Sequence, residues 1–379
     1  MFDYETLKLI WWLLVGVLLI GFAIMDGHDM GVGTLLPFLG KNDTERRIMI
    51  NTVAPHWDGN QVWFITGGGA IFAAWPVVYA TAFSGMYWAL LLVLFALFFR
   101  PVGFDYRSKL PDPRWRAGWD WGLFAGSAVP ALVFGVAFGN LLQGVPFHFD
   151  DNMRSFYTGG FWALVINPFA LLCGVVSLML LTLQGATFLA HRTVGDLQAR
   201  AVKAVTAAGL VVAVGFALGG VWVAQLDGYV IKSAIDGNAV LTPLMKEVER
   251  APGAWLGNFV KIPALWVLPA LGVAGALAAV LLARIGKTLM AFVSSSLACL
   301  GVILTTGVAM FPFVMPSSSH PSMSLTAWDV TSSEYTLNVM FWVALIFTPI
   351  VLAYTSWAYH VMRGKLTDEY IAANDKMLY

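Results

Sequence analysis

The sequence predicts an all-α integral membrane protein with nine transmembrane helices, its amino terminus outside and its carboxyl terminus in the cytoplasm. Apolar residue types make up 59% of the 379 residues, whereas Asp, Glu, Lys and Arg together make up 12%. Soluble domains carry about a quarter charged residues, so this composition indicates lipid as the surrounding solvent. Long charge-free runs and a one-sided distribution of Lys and Arg support the same fold class.

The charge-free runs supply the helices in order. A helix needs about 20 apolar residues to cross a bilayer. Runs of suitable length cover residues 9–25, 59–99, 121–147, 155–190, 204–226, 262–283, 288–328 and 335–362. The second run is long enough for two helices and contains Pro76, which breaks the helical hydrogen-bond ladder. The seventh becomes a Pro- and Ser-rich loop after Phe311, so it supplies one span.

The basic residues give the predicted orientation, because Lys and Arg concentrate in cytoplasmic loops. Nine spans with an outer amino terminus place 16 of the 22 inside, and a single span across Pro76 would reduce this number to 14. Those inside are Lys41, Arg46, Arg47, Arg100, Arg107, Lys109, Arg114, Arg116, Arg192, Arg200, Lys203, Arg284, Lys287, Arg363, Lys365 and Lys376. We expect a single transmembrane helical domain over residues 1–379, with the first helix retained because no small-residue cleavage site follows it.

Several classes of protein are disfavoured. The 22 basic and 22 acidic residues cancel, so no nucleic-acid partner is expected. Cys173 and Cys299 lie in apolar runs, which is typical of core residues and excludes a disulfide framework or a thiolate metal cluster. Phosphate-binding loops, metalloprotease helices and nucleophile elbows are missing from the sequence. We therefore predict no catalytic residue and no metal ligand in this chain.

Ionisable residues within the apolar runs are the candidate functional groups, since such groups are costly at membrane depth. Asp26, His28 and Asp29 lie in a glycine-rich segment, about 20 residues or fewer from the cytoplasmic edge near Lys41. The glycines would allow another backbone to approach closely. The alternative is a packing turn whose acids cap a helix.

A second group of candidate polar residues follows Asn42, which is a predicted helix N-cap. One helix could run from there to Pro76, placing Asp58 about 24 Å along it. Asn51, Asp58 and Gln61 would then share a face. Such a stripe could hold a file of waters, or it could be a structural hydrogen-bond network.

The segment at residues 98–109 leaves the third span on the cytoplasmic side. Arg100 lies at the interface, where its side chain could snorkel to the headgroups. Asp105 and Lys109 are four residues apart and would pair if this turn is helical. The pair could be an ordinary surface pair or could relay protons.

Of the six histidines, only His28 and His56 lie at positions that could suit haem ligation. Each is more often a hydrogen-bonding partner than a ligand at such a depth.

Several motifs in order resemble subunit II of the bacterial cytochrome bd-type quinol oxidases over almost the whole chain. The motifs are DGHDMGVG at 26–33, NDTERRIMIN at 42–51, APHWDGNQVW at 54–63, FFRPVGFDYRSK at 98–109, GNLLQGVPF at 139–147, FPFVMPSS at 311–318 and SLTAWDVTSSEYTLNVM at 324–340. The resemblance implies a multi-pass protein of the bacterial inner membrane, so the outer side would be the periplasm. One member of the family has Phe where this chain has His28, and no role is carried over to that residue.

The resemblance also implies a heterodimer with a similarly folded subunit I, which carries two haems b and one haem d, oxidises quinol and reduces oxygen to water. Subunit II would carry no haem, would stabilise its partner and, in some members, would hold a quinone. A proton path from the cytoplasm would map onto Lys109, Asp105, Tyr379 and Asp58. Lipid and small single-span accessory subunits are further expected partners.

A different class remains open from the residues alone. A secondary transporter could use Asp26, Asp29 and Asp58 to bind a proton or cation. Such a protein would carry ions without a haem partner, so ion flux by the isolated chain would distinguish it from an oxidase subunit.

Overall fold

The computed structural model describes residues 2–374 and 378–379 and is almost entirely helical. The helices are α1 (Tyr4–Leu39), α2 (Asp43–Val53), α3 (Trp57–Ala74), α4 (Pro76–Gly85), α5 (Tyr87–Leu97), α6 (Phe99–Tyr106), α7 (Pro113–Gln143), α8 (Phe161–Val165), α9 (Pro168–Arg192), α10 (Gly195–Val223), α11 (Gly257–Lys261), α12 (Val267–Arg284), α13 (Thr288–Met310), α14 (Glu334–Val361) and α15 (Asp368–Ala373). Three antiparallel hairpins accompany them: β1 (Phe147–Phe149) with β2 (Ser155–Tyr157), β3 (Asp227–Ile231) with β4 (Val248–Pro252), and β5 (Phe313–Met315) with β6 (Leu325–Thr326).

The membrane-spanning character predicted from composition is confirmed. Within the described ranges, eight helical segments are long and apolar enough to cross a membrane, and a bent pair, α3 with α4, raises the number to nine. The eight are Tyr4–Leu39, Tyr87–Lys109, Pro113–Gln143, Pro168–Arg192, Gly195–Val223, Pro263–Arg284, Thr288–Met310 and Glu334–Val361. They coincide with the charge-free runs of the sequence.

The helix is interrupted at Pro76, as the sequence predicts, but the interruption is larger than a tight turn. Helix α3 ends at Ala74, and α4 restarts with Pro76 in its first turn at 118° to α3. Proline suits this first-turn position because its missing N–H would have no helical partner there. The next span begins only at Tyr87, so the ten residues of α4 form a separate element between two spans.

The single helix expected from Asn42 to Pro76 is wrong. Asn42 does cap α2, accepting a hydrogen bond from the backbone N–H of Glu45 at 2.8 Å. However, α2 ends at Val53, and residues 54–56 form a turn that contains Pro55. Proline removes a helical hydrogen bond and clashes with the preceding turn, which explains the break. Asn51 therefore lies on a different helix from Asp58 and Gln61, and the three do not form one stripe.

Helix α1 is the centre of the packing. It continues through the glycine-rich segment to Leu39, so the interpretation of that segment as a packing turn is wrong. A Cβ atom added at Gly31 would lie 2.1 Å from the carbonyl oxygen of Leu181 and 2.7 Å from the nitrogen of Gly185, both on α9. The two backbones are in contact here, which small residues make possible in membrane helices.

Ion pairs hold the loops together at the end of the bundle where α1 finishes, which we call the basic end. Asp120 accepts hydrogen bonds from Arg46 at 2.8 Å and from Arg107 Nε at 2.5 Å, and Arg107 also contacts Asp43 at 3.0 Å. Arg107 and Asp120 are each only 1% exposed. This network anchors the segments before α2 and after α6. Lys376, one of the residues predicted at this end, lies outside the described residues.

The three hairpins lie at the opposite end, which we call the hairpin end. Lys8 of α1 donates to the carbonyl oxygens of Gly237 and Trp328, both at 2.9 Å. Lys246 and Asp329 form a buried salt bridge at 2.8 Å. Burial lowers the pKa of Lys246, and the adjacent carboxylate of Asp329 opposes that effect. These contacts fix the long loop between α10 and α12 to the start of α1.

Gly31→Ala should destabilise the protein by about 1–3 kcal/mol, because the new methyl group overpacks the contact between α1 and α9. Gly68→Ala is the matched control, since nothing lies within 4 Å of a Cβ atom at that helical position. Thermal unfolding in detergent measures both variants. Equal stability of the two variants would contradict the proposed backbone contact.

Candidate functional site

A buried ion pair joins α1 to α6. Arg100 Nη1 donates to Asp26 at 3.0 Å, and Nη2 donates to the other carboxylate oxygen. Both side chains are at most 1% exposed, and the guanidinium lies 5.8 Å from the ring centre of Trp57. The snorkelling interpretation of Arg100 is therefore wrong, because its side chain points into the protein. The two-pronged contact neutralises both charges at membrane depth.

Next to this pair lies a group of polar side chains, His28, Asp29, His56, Asn60 and Tyr359, which we call the buried polar cluster. Asn60 donates to Asp29 at 2.7 Å, and the Tyr359 hydroxyl donates to the Asn60 carbonyl at 3.0 Å. Nε2 of His28 and Nδ1 of His56 lie 3.2 and 3.8 Å from the same Asp29 oxygen. Three separated segments of the sequence thus meet at one carboxylate.

Asn60 and Tyr359 were missed by sequence reasoning. Asn60 follows His56 by four residues, and a search for polar pairs at helical spacing would have found it. Tyr359 lies on α14, almost 300 residues further along the chain, and no sequence signal links it to the cluster. Its position depends on tertiary packing alone.

The predicted proton-path residues occupy two places in the structure. Asp58, Asp105 and Lys109 are exposed on the surface of this chain. Trp57 stacks on Phe104 with 5.1 Å between ring centres, which brings the neighbouring residues 58 and 105 onto adjacent segments. Helix α6 ends at Tyr106, and a 3₁₀ turn carries Lys109. Asp105 and Lys109 do not form a salt bridge within the described ranges, so the expected pairing is absent there.

Tyr379 lies beside Asn51. Its backbone N–H donates to the Asn51 side-chain oxygen at 3.1 Å, and the Asn51 amide donates to the main-chain oxygen of Tyr379 at 2.9 Å. Arg47 Nε donates to the same oxygen at 3.2 Å. The last residue of the sequence is therefore fixed against α2. Gln61 is half-buried on α3 and takes no part in this contact.

An apolar cavity of about 590 Å³ lies between the helices. Its walls come from α1, α7, α9, α10 and the residues around α12 and α13, and Phe22, Phe64 and Phe134 pack together on one side. Among the residues that the structure describes, no histidine or methionine lines it. Its shape and lining suit a hydrocarbon chain better than a polar ligand.

The fold and the buried charges define a multi-span membrane protein whose interior contains paired and clustered ionisable groups. The chain belongs to the cytochrome bd terminal oxidase subunit II family, whose family model matches residues 7–362. It is thus a subunit of an oxidoreductase complex and a multi-pass protein of the bacterial inner membrane. This assignment favours the oxidase hypothesis over the transporter.

Curated relatives support this placement. The chain is 62% identical over 380 residues to cytochrome bd-I ubiquinol oxidase subunit 2 of Escherichia coli K12, covering 100% of both chains. It is 36% identical over 361 residues to cytochrome bd ubiquinol oxidase subunit 2 of Bacillus subtilis, covering 94% of this chain and 96% of that one. A chain of the bd oxidase structure from Geobacillus thermodenitrificans has the same fold, with a TM-score of 0.65 at 13% identity, covering 95% and 98% of the two chains.

Asp26→Asn should destabilise the protein by about 3–5 kcal/mol, because it leaves the Arg100 charge buried without its partner. The double variant Asp26→Leu with Arg100→Met should recover most of this loss, since it removes both charges. Chemical unfolding in detergent measures both variants. An Asp26→Asn protein as stable as the unmodified chain would contradict the ion pair's proposed role.

Proposed function

We propose that this chain is the haem-free partner of a haem-bearing subunit I in a ubiquinol:oxygen oxidoreductase, and that it brings cytoplasmic protons toward the oxygen-reducing site. The observation that carries the proposal is that Asp58 and Asp105 are both exposed and directly follow Trp57 and Phe104, whose rings stack. Family membership and the 62% identical ubiquinol oxidase subunit support the reaction class.

The orientation follows from the same end of the molecule. Most basic residues lie in the segments that meet at the basic end, and such segments remain in the cytoplasm. The basic end is then cytoplasmic, the hairpin end is periplasmic, and the amino terminus is also periplasmic. This orientation gives Lys109 and Asp105 access to cytoplasmic protons.

The donor groups of this chain do not fit a haem. His28 and His56 have ring centres 5.5 Å apart and face one carboxylate, and Phe188 lies 4.3 Å from His28. A porphyrin does not fit between rings packed in this way, and no imidazole of the described part of the chain lines the apolar cavity. The two haems b and the haem d, which bind and reduce oxygen, belong in subunit I under this proposal.

The proton route begins with the exposed Lys109 and Asp105, which collect protons at the basic end. Asp58, in the first turn of α3, is the next group of the route. Asn51 holds the main chain of Tyr379 against α2, and the route uses the hydroxyl group of this tyrosine. Water between this surface and subunit I completes the path, because exposed carboxylates relay protons only through such contacts.

The apolar cavity is suited to the isoprenoid tail of a bound quinone. Its lining is almost wholly apolar, and Ser177, Thr305 and Thr306 are the hydroxyl side chains in its wall. Lipid covers the exposed apolar surface of α14, and small single-span accessory subunits have room to pack on the same kind of surface. Subunit I covers the face that carries Asp58.

Asp58→Asn and Asp105→Asn should each slow oxygen consumption by about 100-fold while leaving the haem spectrum intact, since an amide cannot relay a proton. Asp112→Asn is the matched control: this exposed residue caps α7, and Asn caps a helix equally well. Quinol-driven oxygen uptake by the purified complex measures all three. Normal turnover in both test variants would refute the route.

Tyr379→Phe should slow turnover without reducing stability, because the contacts of Tyr379 with Asn51 use main-chain atoms that the variant retains. Asn51→Leu should instead loosen the position of residue 379 and lower both turnover and thermal stability. Oxygen uptake and thermal unfolding separate the two effects. Full activity of Tyr379→Phe would show that its hydroxyl is not used.

A further inference from the structure

We propose that His28, Asp29 and His56 form a binding site for a divalent transition-metal ion of the zinc type within this subunit. The site lies inside the helical bundle, apart from the surface carboxylates of the proton route. It does not depend on the function proposed above. Its ligand set was not apparent in the sequence, because His56 reaches the site only through the turn between α2 and α3.

The spacing of the three donor atoms fits a metal. Nε2 of His28 lies 3.2 Å from an oxygen of Asp29, and Nδ1 of His56 lies 3.8 Å from the same oxygen. All three donor atoms are within 4.8 Å of one another. Tetrahedral zinc with bonds of about 2.0–2.1 Å holds neighbouring donor atoms about 3.3 Å apart. Only small side-chain shifts are needed to close the site.

The Asp29 carboxylate provides a second, independent indication. Its side chain is fully buried, and Oδ1 has no hydrogen-bond partner, whereas Oδ2 accepts from Asn60 at 2.7 Å. Arg100, the nearest candidate cation, is engaged with Asp26. Within residues 2–374 and 378–379, Asp29 has no salt bridge to Lys or Arg. A buried carboxylate oxygen in this state is costly, and a cation would satisfy it.

The tautomer of His28 points to the same conclusion. Nδ1 lies 3.0 Å from the carbonyl oxygen of Ile24, which can only accept, so the proton is on Nδ1. The lone pair on Nε2 then faces the lone pairs of Asp29 Oδ1. Two acceptors that face each other repel unless a proton or a metal cation lies between them. A backbone carbonyl behind a metal-binding histidine is the usual device that fixes this tautomer.

The surroundings complete a metal site. The Tyr359 hydroxyl lies 3.3 Å from both ring nitrogens, so it occupies the direction of a fourth ligand or of a ligand water. Phe188 and Phe292 cover the other side of the His28 ring, at 4.3 and 5.8 Å between ring centres. Two imidazoles and one carboxylate suit zinc.

The test uses the complete oxidase complex, incubated with zinc chloride and freed of unbound metal by gel filtration. Elemental analysis should find about one zinc per unmodified complex. His28→Phe should lower the zinc affinity about tenfold or more, with the haem spectrum retained. His360→Gln is the matched control, because His360 is exposed near the end of α14, lies near Arg363, and should leave zinc binding unchanged.

X-ray absorption at the zinc edge provides a second measurement on the unmodified complex. The proposal requires scattering from two imidazole rings with nitrogen at about 2.0–2.1 Å. Absence of bound zinc, a spectrum without imidazole scattering, or equal zinc in His28→Phe and unmodified complexes would each overturn it. If His28→Phe fails to assemble, the absorption spectrum decides the question alone.

Discussion

The cost of placing charge in a membrane interior is the constraint on which the rest of this structure depends. Asp26 on α1 is stable at its depth because Arg100 reaches inward from α6 and contacts both carboxylate oxygens. That contact fixes α6 against α1, and the stacking of Trp57 on Phe104 then fixes the start of α3 to the same place. The charge pair therefore positions the two segments that present Asp58 and Asp105.

Close backbone contact between α1 and α9 works together with this ion pair. Gly31 and Gly185 allow the two helices to touch, which brings Phe188 of α9 against the ring of His28. Polar side chains between the helices then lie within hydrogen-bonding distance of one another, as Asn60 and Asp29 do at 2.7 Å. The glycine-rich segment thus serves both helix packing and the placement of the ionisable residues beside it.

Much of this organisation follows from the sequence, and the limits have physical causes. Charge-free runs and Pro76 identify the spans. The thickness of the bilayer sets the length of a span, and a proline inside a helix removes a backbone hydrogen bond, so the helix is interrupted there. The prediction of one continuous helix from Asn42 is wrong because Pro55 interrupts the helix. The sequence does not predict that the Arg100 side chain points inward or that Tyr359 lies in the buried polar cluster. Both depend on which helices become neighbours in three dimensions.

Acidic side chains in the interior of this subunit and on its surface have different surroundings. Asp26 has a fixed counter-charge in Arg100, and both side chains are at most 1% exposed. Asp58 and Asp105 lie on the surface of this chain. A buried carboxylate paired with a cation joins the elements that carry the two groups, whereas an exposed carboxylate stays accessible to water or to another protein. The proposed proton route therefore uses the surface acids and leaves the charge pair within the bundle intact.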